Sequence, residues 1–344
     1  MIELLTPIEL DWDGFVRNLR REGTPHRVFF FEHGVDPTIQ RQLHEAFGIW
    51  ENIDPASPTS EFDKLVATNH FLGLEMMRVF PSGTRILFEK GMHSSHERGP
   101  VSTWADFEAF DWPRAENADL RVLEYLEKTL PANMRAMHVM SLWEEVRELF
   151  GYETFCYALY DQPDLVEAMI EKVGRLIVEV TDRVCDFDCY GAVYISDDLG
   201  HKTGPMLAPD VIRRLFVPWH KKVADVAHEH GKLMFFHSCG QMYELMDDYI
   251  DHVKIDAKHS YEEQILPVTE MSRRWGDRVG VLGGMDVDCL ARQDEDAIRA
   301  KTRQMLDICV PGGGYFLGSG NWVTSYIPLG HYLAMLDEGR RYCG

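Results

Sequence analysis

The 344-residue chain has no run of 18 or more apolar residues, which predicts that no helix of it spans a membrane. Its first residues, Met1-Ile2-Glu3-Leu4-Leu5, lack the basic flank and long apolar core of a secretory signal, so a cytoplasmic protein is expected. Basic residues are scarce: 35 Lys and Arg stand against 56 Asp and Glu, a net charge of −21. That balance argues against nucleic acid and anionic membranes as partners, because both are held by clustered Lys and Arg. A small-molecule substrate fits better. The seven cysteines are scattered and odd in number, which suits reduced thiols better than a disulfide framework. No Gly/Ser-rich or Pro-rich linker divides the chain, so a single domain over residues 1–344 is predicted. Gly312-Gly313-Gly314 precedes a strand-like run and opens no helix, so it makes no dinucleotide fingerprint.

What the sequence does have is alternation. Short β-rich runs at 192–195, 233–236, 252–255, 279–282 and 315–317 alternate with helical stretches at 209–229, 242–249, 262–275, 295–309 and 329–341. Such repetition pairs strands in parallel through crossover helices. The first half adds strands at 28–31 and 135–140 and helices at 144–150 and 163–187. Between them an irregular insertion over about residues 50–130 is expected to form a hairpin and a lid, with His93 and His96 read as solvated loop residues. Seven or eight strand–helix units at this length predict an α/β fold, a (β/α)8 TIM barrel with an N-terminal insertion.

In such a barrel the chemistry lies where strands end and helices begin. The strand ends here are Glu32-His33, Ser196-Asp197-Asp198, His237-Ser238-Cys239, residues 256–259, Gly283-Gly284-Met285-Asp286 and Gly318-Ser319-Gly320-Asn321. His237 and Cys239 are two apart after a buried strand, so imidazole and thiol face the same side. They make half of a zinc site, or a polar wall for a substrate; a catalytic zinc needs three ligands and an open position. Asp197, Asp198 and Asp286 are candidates for proton transfer, for a third ligand or for orienting His237. The plainer reading of each is a helix cap, and the Asp197–Asp198 pair is divided between one functional and one structural residue. Glu32, Ser319, Asn321, Trp143 and Trp322 are candidate substrate contacts, the aromatics together with Tyr326 lining an apolar pocket or else belonging to the core.

Several of these segments resemble the uroporphyrinogen decarboxylase superfamily. The resemblance runs through Tyr194-Ile195-Ser196-Asp197-Asp198-Leu199-Gly200, Leu207-Ala208-Pro209, Pro218-Trp219, Gly231-Lys232 and His237-Ser238-Cys239-Gly240. It continues in Gly283-Gly284-Met285-Asp286-Val287-Asp288, Pro311-Gly312-Gly313-Gly314-Tyr315 and Ser141-Leu142-Trp143-Glu144 with Leu149-Phe150-Gly151. It covers residues 135–344, and before that only 25–31. It implies a (β/α)8 barrel and one of two chemistries. The decarboxylase branch binds an acidic tetrapyrrole through N-terminal arginines; here Phe30-Phe31-Glu32-His33-Gly34-Val35-Asp36 has none, and a polycarboxylate would meet Glu32. The methyltransferase branch uses a zinc ion held by His-x-Cys and a later Cys to activate a thiol toward methylcobalamin.

His237 and Cys239 match the first two of those ligands, while Gly318-Ser319-Gly320 offers a serine at the third, and serine is a far poorer zinc ligand than thiolate. The resemblance therefore implies a methyl-transferring enzyme with a corrinoid protein as partner and Zn2+ at His237 and Cys239, completed by Ser319, Asp197, Asp198 or Asn321. Its rivals are a metal-free decarboxylase using Asp197 or Asp198 and a non-catalytic corrinoid-binding subunit. A homodimer is compatible with either.

Overall fold

Eight parallel strands form the wall of the molecule: β1 (Phe29–Phe30), β2 (Met76–Val79), β3 (Arg135–Met140), β4 (Tyr190–Ser196), β5 (Leu233–His237), β6 (Ala257–His259), β7 (Gly280–Leu282) and β8 (Tyr315–Leu317). The computed structural model describes residues 7–81, 86 and 98–342. Along the sheet the order is β1-β8-β7-β6-β5-β4-β3-β2, so each strand lies beside its neighbour in the chain, the order of a TIM barrel. Among the described residues no ladder joins β1 to β2. Side chains bridge that seam instead: Arg27 pairs with Glu75 before the strands, and Arg78 Nη1 lies 3.3 Å from both His33 Nε2 and the His33 carbonyl beyond them.

Strands in a parallel barrel are buried on both faces, which is why Val28-Phe29-Phe30-Phe31 is an unbroken apolar run with every residue at most 2% exposed. Alternate residues go to different cores. Phe29, Phe31, Tyr194, Phe235, Ala257, Leu282 and Phe316 fill the barrel, while Phe30, Val193, Ile195, Phe236 and Leu317 pack outward against the helices. The register aligns the inner set, pairing Phe29 with Phe316, Tyr194 with Phe235 and Phe235 with Ala257. The helix Trp12–Leu19 closes the N-terminal end: Asp11 accepts from the Gly14 amide at 2.8 Å, and Phe15 packs 4.5 Å from the Phe316 ring. With that end plugged, the open end is where strands finish. Among the described residues no helix is long and apolar enough to cross a membrane.

Two expectations from the sequence need adjustment. The span expected to be an irregular insertion contains β2, together with the regular helices Ser60–Leu72, Trp104–Ala109 and Arg121–Thr129. The sequence reads 77–80 as part of a hairpin, but the strand is a parallel barrel strand beside β3: Met76 points into the barrel and Met77 out of it, so Arg78 puts a charge at an inward position where an apolar residue is expected. The strand expected at 252–255 lies instead at Ala257–His259, preceded by a helical turn at Asp248–Val253. Val253 and Ile255 gave the apolar signal but pack in the outer core, and a three-residue strand is too short to show a period of its own. His93 and His96 lie outside the described residues.

Candidate metal centre

The inward alternation continues past the strand ends and decides which polar residues meet. Counting by twos from Phe31, Tyr194, Phe235 and Ala257 reaches His33, Asp198, His237 with Cys239, and His259. These residues form two overlapping groups, Asp198–His237–Cys239 and His33–His237–His259, within each of which the donor atoms lie within 4.8 Å of one another.

In the first group His237 Nε2 is 3.3 Å from Asp198 Oδ1 and 3.4 Å from Cys239 Sγ. Bonds of about 2.0–2.3 Å to one zinc place tetrahedral ligand atoms about 3.3–3.8 Å apart, so these spacings fit a metal before any side chain moves. The Cys239 amide donates to Asp198 Oδ1 at 2.9 Å, and Asn321 Nδ2 donates to Cys239 Sγ at 3.3 Å. The second group fits less well. The His33 ring stacks on His237 with centroids 4.5 Å apart and planes 23° from parallel, and on His259 at 5.6 Å and 20°. Lone pairs lying in nearly parallel, offset planes do not converge on one ion. Nitrogen, oxygen and sulfur of the first group do.

Burial holds His33, His237 and His259 below the usual histidine range, favouring the neutral form that binds metal. Burial, reinforced by the Asp198 carboxylate, pushes the Cys239 thiol up to about 12. Without a cation beside it the sulfur keeps its proton at neutral pH; a bound metal would remove it. Burial also works against ionisation of Asp198, but hydrogen bonding, including the Cys239 amide at 2.9 Å, outweighs it and holds that carboxyl well below the usual range.

The neighbouring candidates are engaged in other contacts, and Asp286 also lines the open cleft described below. Asp197 is fully buried and accepts from the backbone amides of Leu142 at 3.2 Å, Trp143 at 2.9 Å and Glu144 at 3.4 Å, and from His220 Nε2 at 2.8 Å. It thus caps the helix Trp143–Phe150 from another strand. Asp286 accepts from the Asp288, Cys289 and Glu263 amides, at 2.8, 3.3 and 2.8 Å. Trp143 is fully buried against Tyr152, Phe155 and Phe216.

Glu32 and Ser319 lie on the outward parity of β1 and β8, and bond each other: the Ser319 hydroxyl donates to Oε2 at 2.5 Å and its amide to Oε1 at 3.1 Å. Burial pushes the Glu32 carboxyl up to about 8, against the opposing hydrogen bonds of Ser319 and Tyr332. Neither residue lines the open cleft; the charged side chain that stands inward beside His33 is that of Arg78.

Trp322 does stand at the mouth. The Arg78 guanidinium lies 5.1 Å from its ring centre and the His33 ring 5.5 Å away. A Cβ on Gly34 would come within 2.3 Å of the Trp322 ring, so this close approach requires glycine there. Asn321, Trp322 and Tyr326 line an open cleft of about 1240 Å3 beside the metal-competent group, together with Lys202, Tyr261 and Glu262. Sequence reasoning had not placed Arg78 or Tyr194 in the site, and had His259 only as the last residue of the strand end 256–259, with no role. The signal for each was its inward parity on a strand, masked at Arg78 by its charge; at His259 the misplaced strand hid the parity though not the position.

The fold and this strand-end chemistry define an α/β barrel with a candidate metal centre at its mouth. A sequence model of uroporphyrinogen decarboxylase (URO-D) matches residues 83–342, and the chain belongs to that family. Among solved structures, a methyltransferase from Methanosarcina mazei shares the fold, with a TM-score of 0.70 over 95% of this chain and 97% of that one at 14% identity. A Listeria monocytogenes protein described as a vitamin-B12-independent methionine synthase covers 92% of this chain and 95% of its own, with a TM-score of 0.49 and 13% identity. No curated protein sequence matches the chain.

Proposed function

We propose that this protein is a methyl-transferring enzyme that exchanges a methyl group between a small substrate and a corrinoid carried by a partner protein, with a zinc ion held by Asp198, His237 and Cys239. The observation that carries this reading is the convergence of one nitrogen, one oxygen and one sulfur donor at tetrahedral spacing, beside an open cleft of about 1240 Å3. When bound there, zinc supplies Lewis-acid chemistry that turns a substrate thiol into a thiolate at neutral pH.

The residues of the chain divide the remaining tasks. Asp198 takes the ligand position that the family resemblance gives to a second cysteine, and its low pKa keeps it ionised for that purpose. One carboxylate and one thiolate would balance the charge of a divalent ion, and a set of three protein ligands is the number a catalytic zinc site uses. The Asn321 amide holds the Cys239 sulfur in place. Trp322, braced between His33 and Arg78, offers an apolar face with a cation behind it to an incoming substrate.

Elemental analysis of purified protein tests the metal. About one equivalent of zinc is expected, lost in His237→Ala; less than about one-tenth equivalent, unchanged in that variant, overturns the assignment. Demethylation of methylcobalamin by a panel of thiols, followed by absorbance, tests the transfer. A second reading, metal-free decarboxylation, draws on Arg78 at the mouth, whose guanidinium would take a carboxylate while Asp198 moves protons. Carbon dioxide release from a carboxylic acid substrate by zinc-free protein would favour it.

A further inference from the structure

His237 presents its two ring nitrogens to different neighbourhoods. Nε2 faces Asp198 and Cys239, while Nδ1 lies 2.8 Å from Nδ1 of His259. A contact of that length between two nitrogens is a hydrogen bond, so one of them carries the proton. The answer is set one step further out. His259 Nε2 lies 3.2 Å from the backbone carbonyl of Ser319, and a carbonyl only accepts. His259 is fully buried, so its ring is neutral and bears one proton, which the carbonyl holds on Nε2. Nδ1 of His259 is then a lone pair, and the proton of the shared contact belongs to His237.

From this geometry we infer that His259 is a positioning residue: through the carbonyl of Ser319 it fixes His237 in the form protonated at Nδ1, so that Nε2 is the nitrogen offered to a metal. The inference rests on the metal reading above only for its purpose. Its content, a proton on a named atom, belongs to the metal-free protein as well. It also gives Ser319 a role that its hydroxyl does not have, since the relay uses the backbone oxygen.

A rival chain of contacts points the other way. Arg78, which can only donate, lies 3.3 Å from His33 Nε2; His33 Nδ1 is 3.1 Å from the Tyr194 hydroxyl, which is 3.4 Å from His237 Nδ1. Followed through, that chain delivers the tyrosine proton to His237 Nδ1 and leaves the ring protonated at Nε2, aimed at Asp198. Distance decides between them. The His259 contact at 2.8 Å is shorter than the Tyr194 contact at 3.4 Å and than the 3.3 Å approach of the Asp198 carboxylate to Nε2, and hydrogen bonds weaken steeply toward the longer values.

Long-range 1H–15N correlation spectra of the metal-free, 15N-histidine-labelled full chain read which ring nitrogen bears the proton, with His237→Gln assigning the signal. A proton on Nδ1 of His237 is expected, kept in Tyr194→Phe and lost or averaged in His259→Phe. Zinc affinity by chelator competition supplies the second readout: His259→Phe is expected to weaken it about 10–100-fold, the range for an outer partner of a ligating histidine, with Tyr194→Phe within about threefold of the wild type. A wild-type His237 protonated at Nε2 alone, or a His259→Phe variant with unaltered tautomer and affinity, overturns the inference. A wild type with the Nδ1 proton but no zinc binding leaves the relay standing and removes the metal reading, so the two failures are distinct. Native-like near-UV circular dichroism of His259→Phe separates loss of the relay from loss of the fold.

Discussion

Two clusters of polar groups at the barrel's open end use similar residues to opposite ends. On the β4–β5 side, ligand atoms of Asp198, His237 and Cys239 lie close together, and the side chain of Asp198 is 47% exposed. In the wall behind, Asp197 is saturated by three backbone amides and His220, and across the barrel Glu32 is saturated by Ser319. Polar density at strand ends therefore does not distinguish a reactive site from scaffold. Saturation does: a group whose hydrogen-bonding capacity is already met stabilises the fold, while ligand atoms that converge with capacity to spare invite a cation.

The sharpest way to break this contrast is to exchange the consequences of the two aspartates. Asp197→Ala removes the acceptor for three amides and one buried histidine, and is expected to cost about 3–5 kcal/mol of unfolding free energy in urea. A cost under about 1 kcal/mol would mean that the cap is dispensable and that Asp197 is held for something other than structure. Asp198→Asn, one residue away and half exposed, is expected to cost clearly less, about 1–2 kcal/mol after solvent screening, through loss of the carboxylate that its neighbours hold ionised.

Glu32 gives the scaffold side a pH signature. Its pKa, about 8 in the folded protein, lies above that of an exposed carboxyl, so the folded state keeps a proton that the unfolded chain releases. Stability due to this group is complete at low pH and falls as pH rises through the window from about 4.5 to about 8. At about 1.4 kcal/mol per pH unit, the loss between pH 5 and 7.5 is about 3 kcal/mol. Glu32→Gln is expected to remove that slope from urea midpoints measured across the window; an unchanged slope would show that the carboxyl ionises freely and is not the closed scaffold group described above.

On the metal side the expected effect is on binding. Cys239→Ala and Asp198→Asn each delete one of three ligands and are expected to weaken zinc by more than about 100-fold, beyond the range seen for outer partners. Titration of the metal-free protein against a chromophoric chelator checks this. If Asp198→Asn binds as the wild type does while Cys239→Ala does not, the carboxylate belongs with Asp197 and the contrast between the two collapses.

Much of the site was legible in the sequence, for a definite reason. The run Leu233-Met234-Phe235-Phe236 marks β5 without ambiguity, so the shared side of His237 and Cys239 followed from strand geometry alone. Asp197 and Asp198 could not be told apart as residue types. Carrying the parity of Tyr194 forward separates them, just as the parity of Phe31 separates Glu32 from His33 and that of Ala257 separates Lys258 from His259. That count needs the strand to be located first. It failed at β6, whose three residues are outweighed by the apolar connector before them, and at β2, where Arg78 breaks the pattern. Asp197's saturation was beyond any local reading, because the helix it caps begins 54 residues earlier, at Trp143.

The smallest expected effect tests the boundary between the two regions. The family resemblance places a metal-binding cysteine near residue 319, and the serine found there invites the idea that restoring a thiol would complete the centre. The geometry predicts otherwise. Ser319 is fully buried on the outward parity of β8, its hydroxyl bonded to Glu32 Oε2 at 2.5 Å and to the Asn321 carbonyl at 3.2 Å, so a sulfur on the same bond would face the carboxyl and not the ion. Ser319→Cys is therefore expected to bind zinc within about threefold of the wild type, and its cobalt-substituted form to keep the sulfur-to-metal absorption of one thiolate. A band of doubled intensity with tighter binding would show that residue 319 reaches the metal, and that the wall between scaffold and site is thinner than the hydrogen bonds of Glu32 imply.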